Sequence, residues 1–379
     1  MRSLSWPQVR ARRLARGHLL ERAKPEQLVE VVSDVGGIHA QLMTAAELSI
    51  AARVDGITQA DVREALWEQR KLAKTWTLRG TLHLHPAAEL PLWTAARRNA
   101  ERWHDPRLLA PFGLSADQAD AILTAIGDAL RGRRLTREEL GDEVASRVGA
   151  WAKAETDVLQ FGKPARAWPQ LLGAAVVTGR LCFGPSRGNR VTFVRADEWI
   201  EDWHDVDPEA ALLEVCRRYL VAYGPAARSE FEHWLQPGRD TAAEFAALDG
   251  ELEQVELAGR SVWQLAGDEV PAPLPEPPLR LLPAYDCYVV GSAPPGPARQ
   301  ELVPRPAGTR VFDRGAGPFA VLLLDGVAGG VWKSRRGRRR IELEVEPFAP
   351  LSRAERAELD AEVERVGRFL GLEPVLSIG

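Results

Sequence analysis

Three times in this chain a group of short amphipathic helices is followed by two β segments joined by a tight turn. That recurrence limits the folds open to the chain more than any single motif does. In the first group helices are expected over 5–20, 25–34 and 58–70, with Thr58 as N-cap of the last, and a hairpin over 72–86 breaks at Arg79-Gly80. In the second, helices over 115–131, 136–148 and 164–179 precede a hairpin over 180–194 with a Gly/Pro/Asn turn. In the third, helices over 208–223, 226–235 and 240–247 precede a hairpin over 252–266 turning at Gly259-Arg260. Helices closed by a hairpin describe a winged helix, a helix-turn-helix variant with the hairpin as wing. Any mixed α/β chain can place hairpins after helices, but the regular spacing favours three tandem winged-helix units over 1–110, 111–200 and 201–266. A length of 379 residues has room for about two to four domains.

Residues 267–280 hold five prolines in fourteen positions and read as a stiff linker. Beyond it, over 281–379, the segments LRLLPAYDCYVVG, ELVPRP, TRVFD, FAVLLLDGVAGGVWK and RRIELEVEPF are short β runs with Gly/Pro turns, which suit a small barrel or sandwich. A helix from Ser352 to Leu370 closes the chain, with Ser352 and Glu355 as a capping box.

The three cysteines, Cys182, Cys216 and Cys287, are odd in number and widely spaced. They suit a reducing cytoplasm rather than a disulfide scaffold or a Cys-rich zinc site. No signal-peptide pattern and no run of about 20 apolar residues is present, so a soluble, cytoplasmic, nucleoid-associated protein is expected. A net charge of −4 argues at first against nucleic acid as a partner. Its distribution reverses that: +5 over 1–110, +2 over 111–194, −12 over 195–280, +3 over 281–350 and −2 over 351–379. The whole deficit sits in one acidic block, and the other large segments are basic, as a phosphate-facing surface must be. The run from Lys333 to Arg340 places six cations, among them Arg335, Arg336 and Arg338, at an expected hairpin turn. Such a turn is either a polyanion contact or a solvated sheet edge, and mutual repulsion of the charges favours the contact.

Motifs for nucleotide or hydrolase chemistry (Walker A, GxGxxG, GxSxG, HExxH) are missing, so no cofactor is expected. His83 and His85 fall on one face of a strand, and with His39 they raise a metal reading that no nearby Cys or carboxylate completes. The segment Gly36-Gly37-Ile38-His39-Ala40-Gln41 is more suggestive. Its glycines end a helix and release an extended stretch on which His39 and Gln41 share a face. An imidazole can orient or deprotonate a water, and an amide can both donate and accept. The plainer alternative is a helix cap with His39 satisfied in the core.

The segments GGIHAQLMTAAELSIAARV, TWTLRGTLHLHPAAEL, YGPAARSEFEHWL, LLPAYDCYVVG and VLLLDGVAGGVW, in that order from about residue 5 to 371, resemble the AlkZ/YcaQ-type family of bacterial DNA glycosylases, also described as winged-helix DNA-binding domain-containing proteins. The resemblance implies an α+β, C-shaped molecule with three tandem winged-helix units wrapped around a C-terminal small β-barrel. It implies excision of N-alkylated purines (at N7 or N3), including bulky adducts and interstrand crosslinks, from double-stranded DNA. The family carries a Gln-x-Gln or Gln-x-Asp pair on the extended stretch of its first repeat. Those two positions fall here on His39 and Gln41; Gln41 matches, and His39 departs from Gln. A hairpin of the family enters the DNA groove in the region 292–305, where Arg299 and Arg305 would be cationic tips or exposed loop residues. Arg79 would touch a phosphate or face the lesion, and Thr81 and His83 would line the same channel. Trp76, Trp93, Trp103 and Trp332 are expected in the core rather than stacked on bases.

The expected enzyme is a metal- and cofactor-free, monofunctional glycosylase acting as a monomer, with self-resistance to a DNA-alkylating natural product as a plausible specialisation. The alternative is a non-catalytic DNA-binding regulator or adduct-binding protein, which the His at the first motif position keeps open. A small-molecule enzyme on the same scaffold has no cofactor motif to support it.

Overall fold

In a computed structural model the chain is a mixed α+β protein, described over residues 2–98, 100–160, 162–274, 278–292, 294, 296–304, 311–313 and 317–379. It divides into two compact units. One comprises residues 1–65, 83–85 and 216–379; the other comprises 66–82 and 86–215.

In the first unit, helix Trp6–Arg16 follows Ser5, with Pro7 in its first turn where a missing N–H costs nothing. Helices Leu28–Asp34 and Met43–Ala51 come next. The third group, which belongs to this unit from Cys216 on, matches its expected pattern closely: Pro208–Tyr223, Arg228–Leu235, Ala242–Ala247, then strands Leu252–Leu257 and Arg260–Leu265. Its core is aromatic. Tyr219, Phe231 and Trp234 pack ring on ring, and Phe245 bridges to Trp263. A short strand, Ser3–Leu4, adds in parallel to Leu252–Leu257, a long-range pairing that no local pattern announces.

The C-terminal strands of this unit form one five-stranded sheet in the order Arg280–Leu282, Ala320–Leu324, Val327–Arg336, Arg340–Pro347, Glu373–Ile378. Asp325-Gly326, both at positive φ, turn the first long hairpin tightly. Helix Arg353–Leu370 starts at the expected capping box: Ser352 Oγ accepts from Glu355 N, and Glu355 reaches back to Ser352 N. The chain then adds Glu373–Ile378 parallel to Arg340–Pro347, a strand not expected from the sequence. The two outer strands do not pair with each other among the described residues, so the expected barrel is seen as an open sheet.

In the second unit, helices Leu90–Arg98, Ala116–Leu130 and Arg137–Val148 pack with strands Cys182–Arg187 and Arg190–Val194. Ala73, Leu90, Cys182, Val194 and Ile200 lie together in its core. Ser115 and Thr136 each cap a helix reciprocally with Gln118 and Glu139.

Three expectations are corrected, the first being the β run ELVPRP: Glu301 and Leu302 end a helix, Pro297–Leu302, with Pro297 in its first turn, and Arg305 and Pro306 lie outside the described residues. The helix over 164–179 is a strand, Lys163–Arg166, then a 3-10 turn, Trp168–Leu171, then a short helix, Leu172–Val177. Pro164 biases Lys163 to extended backbone, and the strand pairs with Glu155–Gln160. The run LRLLPAYDCYVVG is a strand only to Leu282; Cys287–Ser292 is a helix, because a short apolar run suits a buried helix as well as a buried strand. All three cysteines are free and buried. Trp93 and Trp332 are buried, the latter donating to the Leu282 carbonyl at 2.9 Å, whereas Trp76 and Trp103 are half-buried. No described helix is long and apolar enough to cross a membrane.

Candidate active site

The extended stretch is built by its glycines. Helix Leu28–Asp34 ends at Val35, whose carbonyl accepts from the Tyr223 hydroxyl at 2.7 Å. Gly36 (φ +69°) and Gly37 (φ +98°) then turn the chain through backbone that side-chain-bearing residues rarely adopt. Gly37 is required twice over, because a Cβ there would sit 2.3 Å from Cε1 of His85. His85 is fully buried, and burial, with the nearby Arg218 charge adding to it, lowers its pKa to about 3. It is a neutral, packed imidazole.

Ile38–His39 pairs antiparallel with Leu82–Pro86, setting Ile38 opposite Leu84 and His39 opposite His83. The His39 ring meets His83 edge-on, centroids 5.3 Å apart at 83°, and stacks on Tyr285 at 4.6 Å and 14°. His83 and His85 lie 5.9 Å apart, tilted by 33°. The three imidazoles thus form a packed ring cluster. Among the described residues no three His, Cys, Asp or Glu converge on a metal position.

Behind this cluster lies a buried ion pair. Arg53 donates through both terminal nitrogens to the Asp286 carboxylate, at 2.8 and 2.7 Å, and both side chains are fully buried. Ser49 Oγ adds a 2.6 Å bond and the Tyr288 amide one of 2.9 Å to the same carboxylate. Burial opposes the Arg53 charge most, but Asp286, together with Cys287 and Tyr223, raises the guanidinium pKa overall. The strand pairing of Ile38–His39 with Leu82–Pro86 ends at His39. His39 is 9% exposed, whereas Gln41 is exposed at a bend and its neighbour Leu42 is 55% exposed, just before helix Met43–Ala51.

The residues expected to touch DNA are dispersed. Arg79 sits half-buried in the turn Leu78–Gly80 at φ +54°, in the second unit. The Thr81 hydroxyl donates to the Leu78 carbonyl at 3.0 Å, so it closes that same turn. His83 is buried beside His39. Arg299 lies half-buried on helix Pro297–Leu302, where burial lowers its pKa; Arg305 lies outside the described residues. In the basic hairpin, Lys333 pairs with Glu344 at 3.0 Å and Arg335 with Glu342 at 2.7 Å, each its register partner. Arg336 donates to Gln59 at 3.2 Å. Cross-strand glutamates therefore relieve part of the mutual repulsion that favours a polyanion contact. Arg338, Arg339 and Arg340 are exposed and make no ion pair among the described residues.

Ser49, Arg53, Tyr285 and Asp286 escaped the sequence reading. A signal existed for two of them: in AAELSIAARV, Ser49 and Arg53 stand one helical turn apart within an apolar run, which implies a buried polar partner.

Comparison with known proteins gives a consistent answer. The family described as "DNA glycosylase AlkZ-like" matches residues 32–369. An interstrand DNA cross-link repair glycosylase of Streptomyces sahachiroi is 31% identical over 377 residues, covering 97% of each chain. The solved structure of the DNA glycosylase AlkZ from Streptomyces sahachiroi superposes with a TM-score of 0.82 at 29% identity, covering 100% of both chains.

Proposed function

This chain belongs to the DNA glycosylase AlkZ-like family, and from that premise we propose that it hydrolyses the N-glycosidic bond of N7- or N3-alkylated purines in double-stranded DNA, using His39 and Gln41. The observation that carries the reading is the placement of His39. It is held between His83 and Tyr285 on the extended stretch, two residues before the exposed Gln41. Bulky adducts and interstrand crosslinks fall within the same chemistry, and the cross-link repair relative supports them as substrates. Self-resistance to a DNA-alkylating natural product is the corresponding biological role.

Alkylation at N7 makes the purine cationic, so the base departs with the bonding electron pair and needs no general acid. What remains is to stabilise an oxocarbenium-like sugar and to deliver water to its anomeric carbon. The Gln41 amide holds that water and turns its carbonyl oxygen toward the developing positive charge. Neutral His39 takes the water's proton, leaving an abasic site and a free alkylated base. Release of 7-methylguanine from methylated duplex tests this directly. Binding to undamaged DNA with no base release would instead favour a non-catalytic regulator.

A protonated His39 is no base, and its charge opposes an oxocarbenium. The rate constant of base release is therefore expected to fall once pH is low enough to protonate His39. A pH profile that is the same in His39→Gln as in the parent removes His39 as base.

The three hairpin-closed helical groups serve in this reading as winged-helix units on a monomeric DNA-binding scaffold, with 281–379 as the C-terminal domain. Phosphate contacts come from Arg79, Arg299, Arg305 and the basic hairpin of Lys333, Arg335, Arg336 and Arg338, while Thr81 lines the channel and the buried His83 braces His39. Within that hairpin the cations without a glutamate partner matter most. Replacing Arg338, Arg339 and Arg340 together by serine is expected to lower the slope of log affinity against log salt by about one per lost phosphate contact. An unchanged slope in a salt titration removes this hairpin from the interface.

A further inference from the structure

We propose that Tyr285 is a positioning residue for the glycosylase reaction, holding the His39 imidazole in its working orientation; this rests on the role given to His39 above. The phenol ring lies nearly parallel to the imidazole, 4.6 Å away at 14°, and His83 abuts the same imidazole edge-on at 5.3 Å. A ring bracketed by a face on one side and an edge on another has little freedom to tilt about χ2. Freedom of that kind is what a general base must lose before it can accept a proton along one direction.

The backbone of Tyr285 shows that its placement is imposed. Its φ is +63°, in the left-handed region that a large aromatic residue seldom enters. Such a conformation persists only where the surroundings over-determine it. Here they do so from both sides. Leu282 ends a sheet strand three residues upstream, and the next residue, Asp286, is locked by four hydrogen bonds from Arg53, Ser49 and the Tyr288 amide. Ser49 and Arg53 follow closely after Gln41, on and just beyond the helix Met43–Ala51. One stretch of chain, 38–53, thus supplies both candidate reacting residues and the clamp that sets the phenol against the first of them.

The test compares Tyr285→Gly, Tyr285→Phe and Tyr285→Leu with the parent and with His39→Ala. Glycine adopts φ +63° freely, so Tyr285→Gly removes the ring without adding backbone strain, while Tyr285→Leu serves as a second ring-less variant. Base release and the resonances of histidine labelled with 13C at Cε1 are both measured, the His39 signal being assigned by its loss in His39→Ala. Both ring-less variants are expected to lose kcat on the order of 10- to 100-fold with KM for DNA unchanged, and to shift the His39 resonance. Tyr285→Phe, which keeps the stacked face, is expected to retain parental kcat and resonance. Parental kcat with an unmoved His39 resonance in Tyr285→Gly overturns the proposal while leaving His39 as base. Full activity in His39→Ala instead overturns the role of His39, and the positioning role with it.

Discussion

Removing His39 or Gln41 is expected to abolish most base release while leaving the protein bound to DNA. A positioned general base contributes on the order of 10²- to 10⁴-fold to a rate. A preorganised dipole at developing charge contributes on the order of 10²- to 10³-fold. His39→Ala and Gln41→Ala should therefore each fall by factors of this size in single-turnover release of 7-methylguanine. The double variant should fall by much less than the product, because both groups act on one water. His39 is nearly buried between two rings, so its truncation also opens a gap beside His83 and Tyr285. His39→Gln answers that concern. It restores the Gln-x-Gln form that the family resemblance implies, and it is expected to retain much of the parental rate and to lose its dependence on imidazole protonation. Unimpaired turnover in both alanine variants would falsify the assignment of the site.

The architecture was legible where local chemistry decides it. The capping box Ser352/Glu355 and the N-cap Thr58 are visible in the residue types alone, and both are formed, with Asp61 as the partner Thr58 takes. The third repeat matches within a residue or two because its helices carry uninterrupted 3.6-residue periodicity and its hairpin turns at Ala258-Gly259, both at positive φ. What stayed hidden is non-local. Ser3–Leu4 finds its strand partner some 250 residues away, and Glu373–Ile378 joins a sheet only because helix Arg353–Leu370 returns the chain alongside Arg340–Pro347. The segment after Leu282 misled because an apolar run of six residues has no periodicity to read, and the decisive feature, Tyr285 at positive φ, belongs to a residue type that gives no hint of it.

At the site the same division holds. Two glycines followed by His39 and Gln41 announce an extended polar stretch, but only the fold explains Gly37, whose missing side chain makes room for the His85 ring. The His83/His85 alternation is real, yet it serves packing: one ring braces His39, and the other is buried and neutral. In the basic run, six cations counted along the sequence are not six equivalent charges in space, because the register sets Glu342 and Glu344 opposite Arg335 and Lys333.

The largest stability effect is expected at Arg53 and Asp286. Neither side chain is exposed, and their bidentate contact is the only charge neutralisation either finds among the described ion pairs. Truncating one partner leaves the other buried and uncompensated, a change that costs about 3–5 kcal/mol. Arg53→Ala and Asp286→Ala should each lower unfolding stability by that amount in urea denaturation. Asp286→Ala should also release Tyr285 from its left-handed conformation, so its loss of base release should exceed what partial unfolding explains. Replacing both by apolar residues of similar volume, Arg53→Met with Asp286→Leu, removes the buried charges together and should recover most of the stability. It should not recover activity, because leucine at 286 cannot take the bonds from Ser49 and the Tyr288 amide that hold the turn behind Tyr285. Stability restored without activity separates the two duties of this pair; activity restored along with stability would show that the clamp is only structural.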